Sequence, residues 1–279
     1  MDPRQPLVSV VMSVYNGERH LADCLRSVLG QSLGEFEFLI VDDGSRDETR
    51  SILEEFAARD SRIRIIRQEN TGLTRALNTA LELARGEYVA RIDADDVWLP
   101  EKLALQVAAF EANPRLGLLG TAYRTIDEAG EPTPDDTVPL LVDDAAIRRA
   151  MICFNPFSHS SVMFRRKLVT VCGSYDERFA LAQDYECWFR FLERAEGGNL
   201  PDVLTWRRDS PGMLSRSREA RQRRYALRAK LLHLRSWKGF WRPVRYLVKD
   251  LAVVCLPPPL RTRARLAAAG LRDLKTSGD

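Results

Sequence analysis

Four short apolar runs, each followed by a stretch with helical spacing, fill the first 112 residues and leave this chain few folds to choose from. Leu7 to Val14 is β-branched and nearly continuous, the pattern of a strand covered on both faces, as in a parallel sheet. Tyr15-Asn16-Gly17 ends it, and Leu21, Cys24, Leu25, Val28 and Leu29 then recur at helical spacing up to Gly30. Phe36 to Val41 is the next strand and runs into Asp42-Asp43-Gly44-Ser45, where Ser45 and Glu48 have capping-box spacing for a helix burying Ile52, Leu53 and Phe56. Ile63 to Ile66 predicts a third strand. Gln68 to Gly72 then turns the chain into a helix with Leu73, Leu77, Ala80, Leu81 and Ala84 inward, stopped by Gly86. Tyr88 to Ile92 is the fourth strand, and Pro100 opens a helix that buries Leu103, Val107 and Phe110 before Asn113-Pro114. Repeated β-α units predict right-handed crossovers and a mostly parallel sheet flanked by helices.

In such sheets ligands bind outside the carboxyl ends of the strands. The unusual polar groups fall there: Tyr15-Asn16 after the first strand, Asp42-Asp43 after the second, and Asp93, Asp95 and Asp96 after the fourth. Three carboxylates within four residues repel one another, and a shared hard cation such as Mg2+ or Mn2+, which takes oxygen ligands and brings phosphate oxygens, resolves the conflict. Taken singly, Asp-x-Asp-Asp also reads as a solvated turn, and Asp43 as a helix-capping turn. Convergence of three such loops on one crevice favours a binding site.

Beyond residue 115 the pattern changes. Leu116 to Tyr123 reads as a strand, Asp127 to Pro139 as a polar loop, and Ser160 to Phe164 as a strand preceded by Asn155-Pro156-Phe157-Ser158-His159. Gln183-Asp184-Tyr185 begins a helix that buries Tyr185, Trp188, Phe189 and Leu192. Mixed or antiparallel strands with long loops are expected in this half, suited to holding a variable second substrate. With 45% hydrophobic residues over 279 positions the chain can bury a full core of one large domain or one and a half. Five cysteines, widely spaced and without a Cys-x-x-Cys pair, point to neither a disulfide framework nor a zinc site. The opening Met-Asp-Pro-Arg-Gln-Pro carries no signal pattern and no stretch approaches the ~18 apolar residues of a spanning helix, so a cytoplasmic protein, peripheral at most on the inner membrane face, is expected.

Six segments in order, Val8 to Asn16, Val41-Asp-Asp-Gly-Ser, Asn70-Thr-Gly-Leu, Ala84 to Asp96, His159-Ser-Ser-Val-Met-Phe-Arg and Gln183-Asp-Tyr-Glu-Cys-Trp-Phe-Arg, resemble family 2 glycosyltransferases of the GT-A fold over residues 7–206. The resemblance implies a Rossmann-like GT-A sheet and inverting transfer of a sugar from a nucleotide diphosphate donor, usually UDP-linked. By the family pattern Ser13 and Tyr15 border the nucleoside and Asp43 bonds the base. Asp93 and Asp95 serve the ribose and donor sugar, and Asp95 or Asp96 binds the metal, Mn2+ or Mg2+, that bridges the diphosphate. The leaving diphosphate needs no proton, so one carboxylate suffices as general base for the acceptor hydroxyl. The resembling motif places that base at Asp184, with Gln183 standing where a Glu is usual. Locally, Asp184 also suits the N-cap of its helix. His159 borders the diphosphate or acceptor by resemblance, or is a structural hydrogen-bonder.

The division expected is a catalytic domain over 1–206, with a nucleotide-sugar half at 1–112 and an acceptor half at 113–206, followed by a basic helical extension over 207–279. Residues 201–279 hold 19 Lys/Arg against 6 Asp/Glu, a local charge of +13 in a chain of net +3. From Arg216 to Lys249 arginines interleave with Trp237, Phe240, Trp241 and Tyr246, and Leu251 to Leu260 is apolar and Pro-rich. This segment reads as an amphipathic helix on anionic lipid, as an extension packed back on the domain, or, least of all, as a nucleic-acid patch. The expected partners are a nucleotide-sugar donor and a saccharide or lipid-linked acceptor. A nucleotidyltransferase would carry a Gly-rich basic phosphate loop after the first strand, which Tyr15-Asn16-Gly17-Glu18 lacks. An inactive nucleotide-sugar-binding or membrane scaffold of the same fold is the remaining alternative.

Overall fold

A computed structural model of the chain describes residues 5–133, 140–209 and 219–233. Its first half alternates β1 (Val8–Val14), α1 (Leu21–Leu29), β2 (Phe36–Asp42), α2 (Thr49–Arg59), β3 (Ile63–Arg67), α3 (Leu73–Leu83) and β4 (Tyr88–Arg91). There follow β5 (Val97–Trp98), α4 (Lys102–Ala112), β6 (Leu116–Ile126), α5 (Asp144–Met151), a short 3-10 turn at His159–Ser161, β7 (Met163–Arg165), α6 (Lys167–Cys172), α7 (Gln183–Leu192), β8 (Glu196–Arg208) and α8 (Glu219–His233). One eight-stranded sheet runs in the order β3-β2-β1-β4-β7-β6-β8-β5. The four strands of the first half pair parallel. β7 then lies antiparallel to both β4 and β6, β8 parallel to β6, and β5 antiparallel to β8.

The alternation of β1 divides the core between two layers. Val8, Val10, Met12 and Val14 face α1, α2 and α4, burying Leu21, Leu25, Leu53, Leu103 and Phe110. Val11, with Leu39 and Val41 of β2, faces α3, α5, α7 and α8, burying Leu77, Ile147, Trp188 and Ala229. Full cover on both faces explains why these strands read as unbroken apolar runs.

Three local expectations are corrected. The capping box at Ser45 and Glu48 does not form: the Ser45 hydroxyl accepts the Asn16 N–H at 3.0 Å, and Asp47 Oδ1 takes the Thr49 N–H at 3.1 Å where α2 begins. Pro100 is not the first helical residue, since the N-cap of α4 is Glu101. Gly86 does not cap α3, whose last turn closes at Ala84. It is instead required by close approach, because a Cβ there would lie 2.5 Å from the Ser9 backbone nitrogen.

Among the described residues no helix is long and apolar enough to cross a membrane. Of the basic tail, α8 packs one face on α7 with Ala229, Lys230 and His233 buried, and exposes Leu227, Leu231 and Leu232. Trp237, Phe240, Trp241, Tyr246 and residues 251–260 lie outside the described residues.

Candidate active site

β4 delivers Arg91, only 1% exposed, directly ahead of the acidic turn. Its guanidinium grips both oxygens of Asp93 in a short two-pronged pair. The Ser160 hydroxyl accepts the Asp93 N–H at 3.0 Å and donates to Asp93 Oδ2 at 3.1 Å. The protein thus neutralises Asp93 itself. Asp96 is turned inward, 1% exposed, and its Oδ1 accepts the Arg208 N–H at 2.7 Å. Arg208 also donates from Nε to the Asp95 carbonyl at 3.0 Å, and from Nη1 to the Asp127 and Glu128 carbonyls at 2.7 and 3.0 Å. The end of β8 therefore staples the acidic turn to the loop after β6.

Asp95 lies half-buried between these two. Burial, then the charge of Asp93, raises its carboxyl to about 6. Burial, then Asp95 and Asp93, pushes Asp96 well above the usual carboxylate range. Two acids whose charge is not balanced by their surroundings are what a divalent cation relieves, and their oxygens are the hard donors that Mg2+ or Mn2+ accepts. Among the described residues no three His, Cys, Asp or Glu side chains gather to hold a metal alone. The fit is to an ion that completes its shell with phosphate oxygens and water.

Asp43 is 2% exposed and does not cap α2; it ties down the loop that leads into α3. Its Oδ1 accepts Gln68 Nε2 at 2.8 Å and the Thr71 N–H at 2.9 Å, and its Oδ2 accepts the Gly72 N–H at 2.8 Å. The positive end of the helix dipole favours an anion there. The Asp43 N–H donates to the Val14 carbonyl at 2.9 Å, which sets this turn beside the end of β1. Ser13 is half-buried in that strand end, and Tyr15 stands at the lip of the crevice, 50% exposed. The turn at Gly44 demands glycine twice over, with φ +79° and a Cβ position 2.9 Å from the Asn70 nitrogen.

The cap position of α7 falls on Ala182, held in the left-handed region at φ 57°, so Asp184 is not the N-cap but stands in the first turn. Its Oδ2 accepts Asn155 Nδ2 at 2.7 Å. Burial raises the Asp184 carboxyl above its ordinary value, against the Tyr185 N–H, the Arg91 charge and the Asn155 amide. His159 Nε2 pairs with the Tyr175 hydroxyl at 3.0 Å and its ring meets Trp188 edge-on. Burial, then Arg91, holds the imidazole well below its usual value, leaving it neutral at physiological pH. Asn78 fixes the Tyr175 backbone from α3, donating to its carbonyl at 2.9 Å and accepting its N–H at 3.0 Å. Tyr175 is in electrostatic reach of Arg91, of Asp93 in the acidic turn and of Asp184 at the start of α7.

Four residues of this site take no role from local spacing: Arg91 and Ser160, which lie inside the motif segments, and Asn155 and Arg208, which lie outside them. Arg91 could have been found, because a cation inside an apolar strand run requires a buried partner. Asn155 and Arg208 act across 29 and 112 positions, and local spacing gives no sign of them.

A mixed α/β sheet with an acidic turn at the end of its fourth strand is the GT-A arrangement. The sequence profile described as Glycosyl transferase family 2 matches residues 9–175, and the chain belongs to that family. It is 33% identical over 216 residues to the amylovoran biosynthesis glycosyltransferase AmsE of Erwinia amylovora, over 76% of this chain and 80% of that one. Against the chondroitin synthase of Escherichia coli it is 32% identical over 190 residues, 68% of this chain but 27% of the relative, so it spans about a quarter of that protein. The S. aureus TarS 1–349 structure in complex with UDP-GlcNAc superposes with a TM-score of 0.71 at 19% identity, covering 94% of this chain and 79% of that chain. A longer TarS structure is covered to 42% of its length. The mannosyltransferase PcManGT from Pyrobaculum calidifontis, solved with GDP-Man and Mn2+, superposes at 0.62 and 20% identity, covering 99% of this chain and 89% of that chain. Identities this low speak for the fold alone.

Proposed function

We propose that the protein is an inverting glycosyltransferase that moves a sugar from a nucleotide-diphosphate donor, UDP-linked, to a hydroxyl of a lipid-linked or growing saccharide in cell-surface polysaccharide synthesis. The observation that carries this reading is the acidic turn after β4, where burial and Asp93 raise the half-buried Asp95 to about 6, together with an Asp184 that feels the charge of Arg91 from β4 and accepts the Asn155 amide. The UDP-GlcNAc complex of TarS and the name of AmsE support the donor and pathway classes. Ser13, Tyr15 and Asp43 would border the nucleoside. Asp95 would hold the Mg2+ or Mn2+, with Asp96 acting from within through Arg208. A bound divalent cation would supply countercharge for the negative charge growing on the departing diphosphate.

The chain's own groups do the rest. Asp184, ionised, accepts the acceptor hydroxyl's proton as that oxygen forms a bond to the anomeric carbon, and the bond to the diphosphate breaks with its electron pair leaving on the diphosphate. Arg91 keeps Asp93 neutralised, so that a third negative charge does not meet the phosphates. A catalytic domain over 1–206, with nucleotide-sugar and acceptor halves, and a basic extension over 207–279 docking on anionic lipid complete the proposal. The exposed Leu227, Leu231 and Leu232 of α8 are consistent with that docking.

Calorimetric titration with UDP, GDP and dTDP, each with and without Mn2+, tests the donor site. Metal-dependent UDP binding that disappears in Asp95→Asn is expected, whereas no binding of any nucleotide by folded protein would return the scaffold reading. Asp184→Asn is expected to keep nucleotide affinity and lose at least about a hundredfold in turnover, the usual weight of a general base.

A further inference from the structure

The chain beyond α5 is built to present one amide. α5 ends at Met151, and its terminal carbonyls are bound from two other helices: the Tyr185 hydroxyl of α7 donates to the Met151 carbonyl, and Lys230 Nζ of α8 donates to the Cys153 carbonyl at 2.7 Å. A cation at the C-terminal end of a helix is favourably placed on its dipole. Pro156 follows Asn155 and biases it toward extended backbone. Asn155 Oδ1 then accepts the Phe157 N–H at 3.2 Å, which fixes the rotation of the amide and leaves Nδ2 directed at Asp184 Oδ2, 2.7 Å away.

We infer that Asn155 is the positioning residue of the catalytic base, holding the Asp184 carboxylate in one orientation and favouring its ionised form. The inference rests on the reading of Asp184 as that base. The physical need is plain. A general base half-buried at the start of a helix loses part of the water that would solvate its charge, and a donor to the charged form returns part of that solvation. The Tyr185 N–H and the Arg91 charge contribute from α7 and β4. The other titratable groups in reach are the phenol of Tyr175 and the thiol of Cys187, both pushed up by burial and therefore uncharged. Asn155 neither reacts nor carries charge, and its amide is a side-chain donor to the Asp184 carboxylate.

The test uses the full chain labelled with 13C at aspartate carboxyls, with the Asp184 resonance assigned by its absence in Asp184→Asn. Asn155→Ala is expected to move the Asp184 titration upward by about one pH unit, the value of one hydrogen bond to a charged group. Asn155→Asp keeps the acceptor for the Phe157 N–H but sets a second carboxyl against Asp184, and its upper titration is expected to move further still. UDP affinity in the presence of Mn2+ is expected to stay within about threefold of wild type in both variants, which separates a lost contact from a damaged fold. In release of UDP from UDP-glucose, UDP-galactose and UDP-GlcNAc with Mn2+, the acid limb of the rate moves with the resonance. An Asp184 titration unmoved in both variants overturns the inference whatever Asp184→Asn does. A moved titration together with wild-type UDP release by Asp184→Asn instead removes the base reading and leaves the Asn155 contact standing.

Discussion

The three carboxylates of the acidic turn look equivalent in sequence and are not equivalent in the fold. Asp93 is spent on Arg91 and Ser160 and Asp96 on the Arg208 backbone, while Asp95 lies half-buried with its carboxyl raised to about 6. That difference has a measurable sign. Unfolded, an aspartate titrates near ~3.9, and folded, Asp95 titrates at about 6, so the folded state holds this proton more tightly. Stability is then greatest below pH ~4, falls as pH rises through about 6, and stays lower above it. Asp95→Asn is therefore expected to stabilise the metal-free protein at pH 7.5, on the order of 1–2 kcal/mol after screening by the crevice solvent, with the gain vanishing near pH ~4. Calorimetric melting of both proteins across that range checks it; an unchanged Tm at pH 7.5 would mean the charge is already balanced. The sequence marks all three acids by their spacing, but how they are partnered depends on Arg208, 112 residues after Asp96, and is not written locally.

At the scale of elements, the β-α repeat up to α4 is legible because each strand and helix reports its burial through its own periodicity. β8 and α5 do not. β8 contains Gly197-Gly198-Asn199 and Pro201-Asp202, residues depleted in strands, and is ordered by parallel pairing to β6 with register shifts after Leu116 and around Ala122. α5 spans only Asp144 to Met151 and takes its order from the Asp143 cap on the Ala146 N–H at 2.8 Å and from packing beneath α7. Glycines make the same point. Gly86 reads as a helix stop, yet its reason is the backbone of β1 lying against it, so Gly86→Ala is expected to cost about 2 kcal/mol or more by forcing the strand apart. Gly34→Ala, where a Cβ meets nothing within 4 Å, is the control and is expected to be close to neutral. Urea denaturation of the pair reads the difference directly.

For the whole molecule, the described part of the basic tail is docked on the domain. α8 is part of the catalytic body: Lys230 and Ala229 are buried, and His233 lies 3.0 Å from Glu186 and stacks on Phe189 of α7. A chain ending at residue 233 is expected to melt within about 2 °C of the full protein, while one ending at 209 uncovers α7 and loses several degrees. Flotation with vesicles containing phosphatidylserine should distinguish the remaining part, since loss of binding on deleting 236–279 is expected for a lipid-docking segment. If both chains float alike, the membrane proposal fails. By itself the sequence determined the parallel half of the sheet, the family, and the placing of the polar turns at the strand ends, because periodicity and short motifs are local properties that survive without neighbours. Only the tertiary structure decided how the three acids are partnered, what Asp43 binds, which amide holds Asp184 and where α8 goes, because each of those is a contact between distant segments whose energy exists only once the chain has folded.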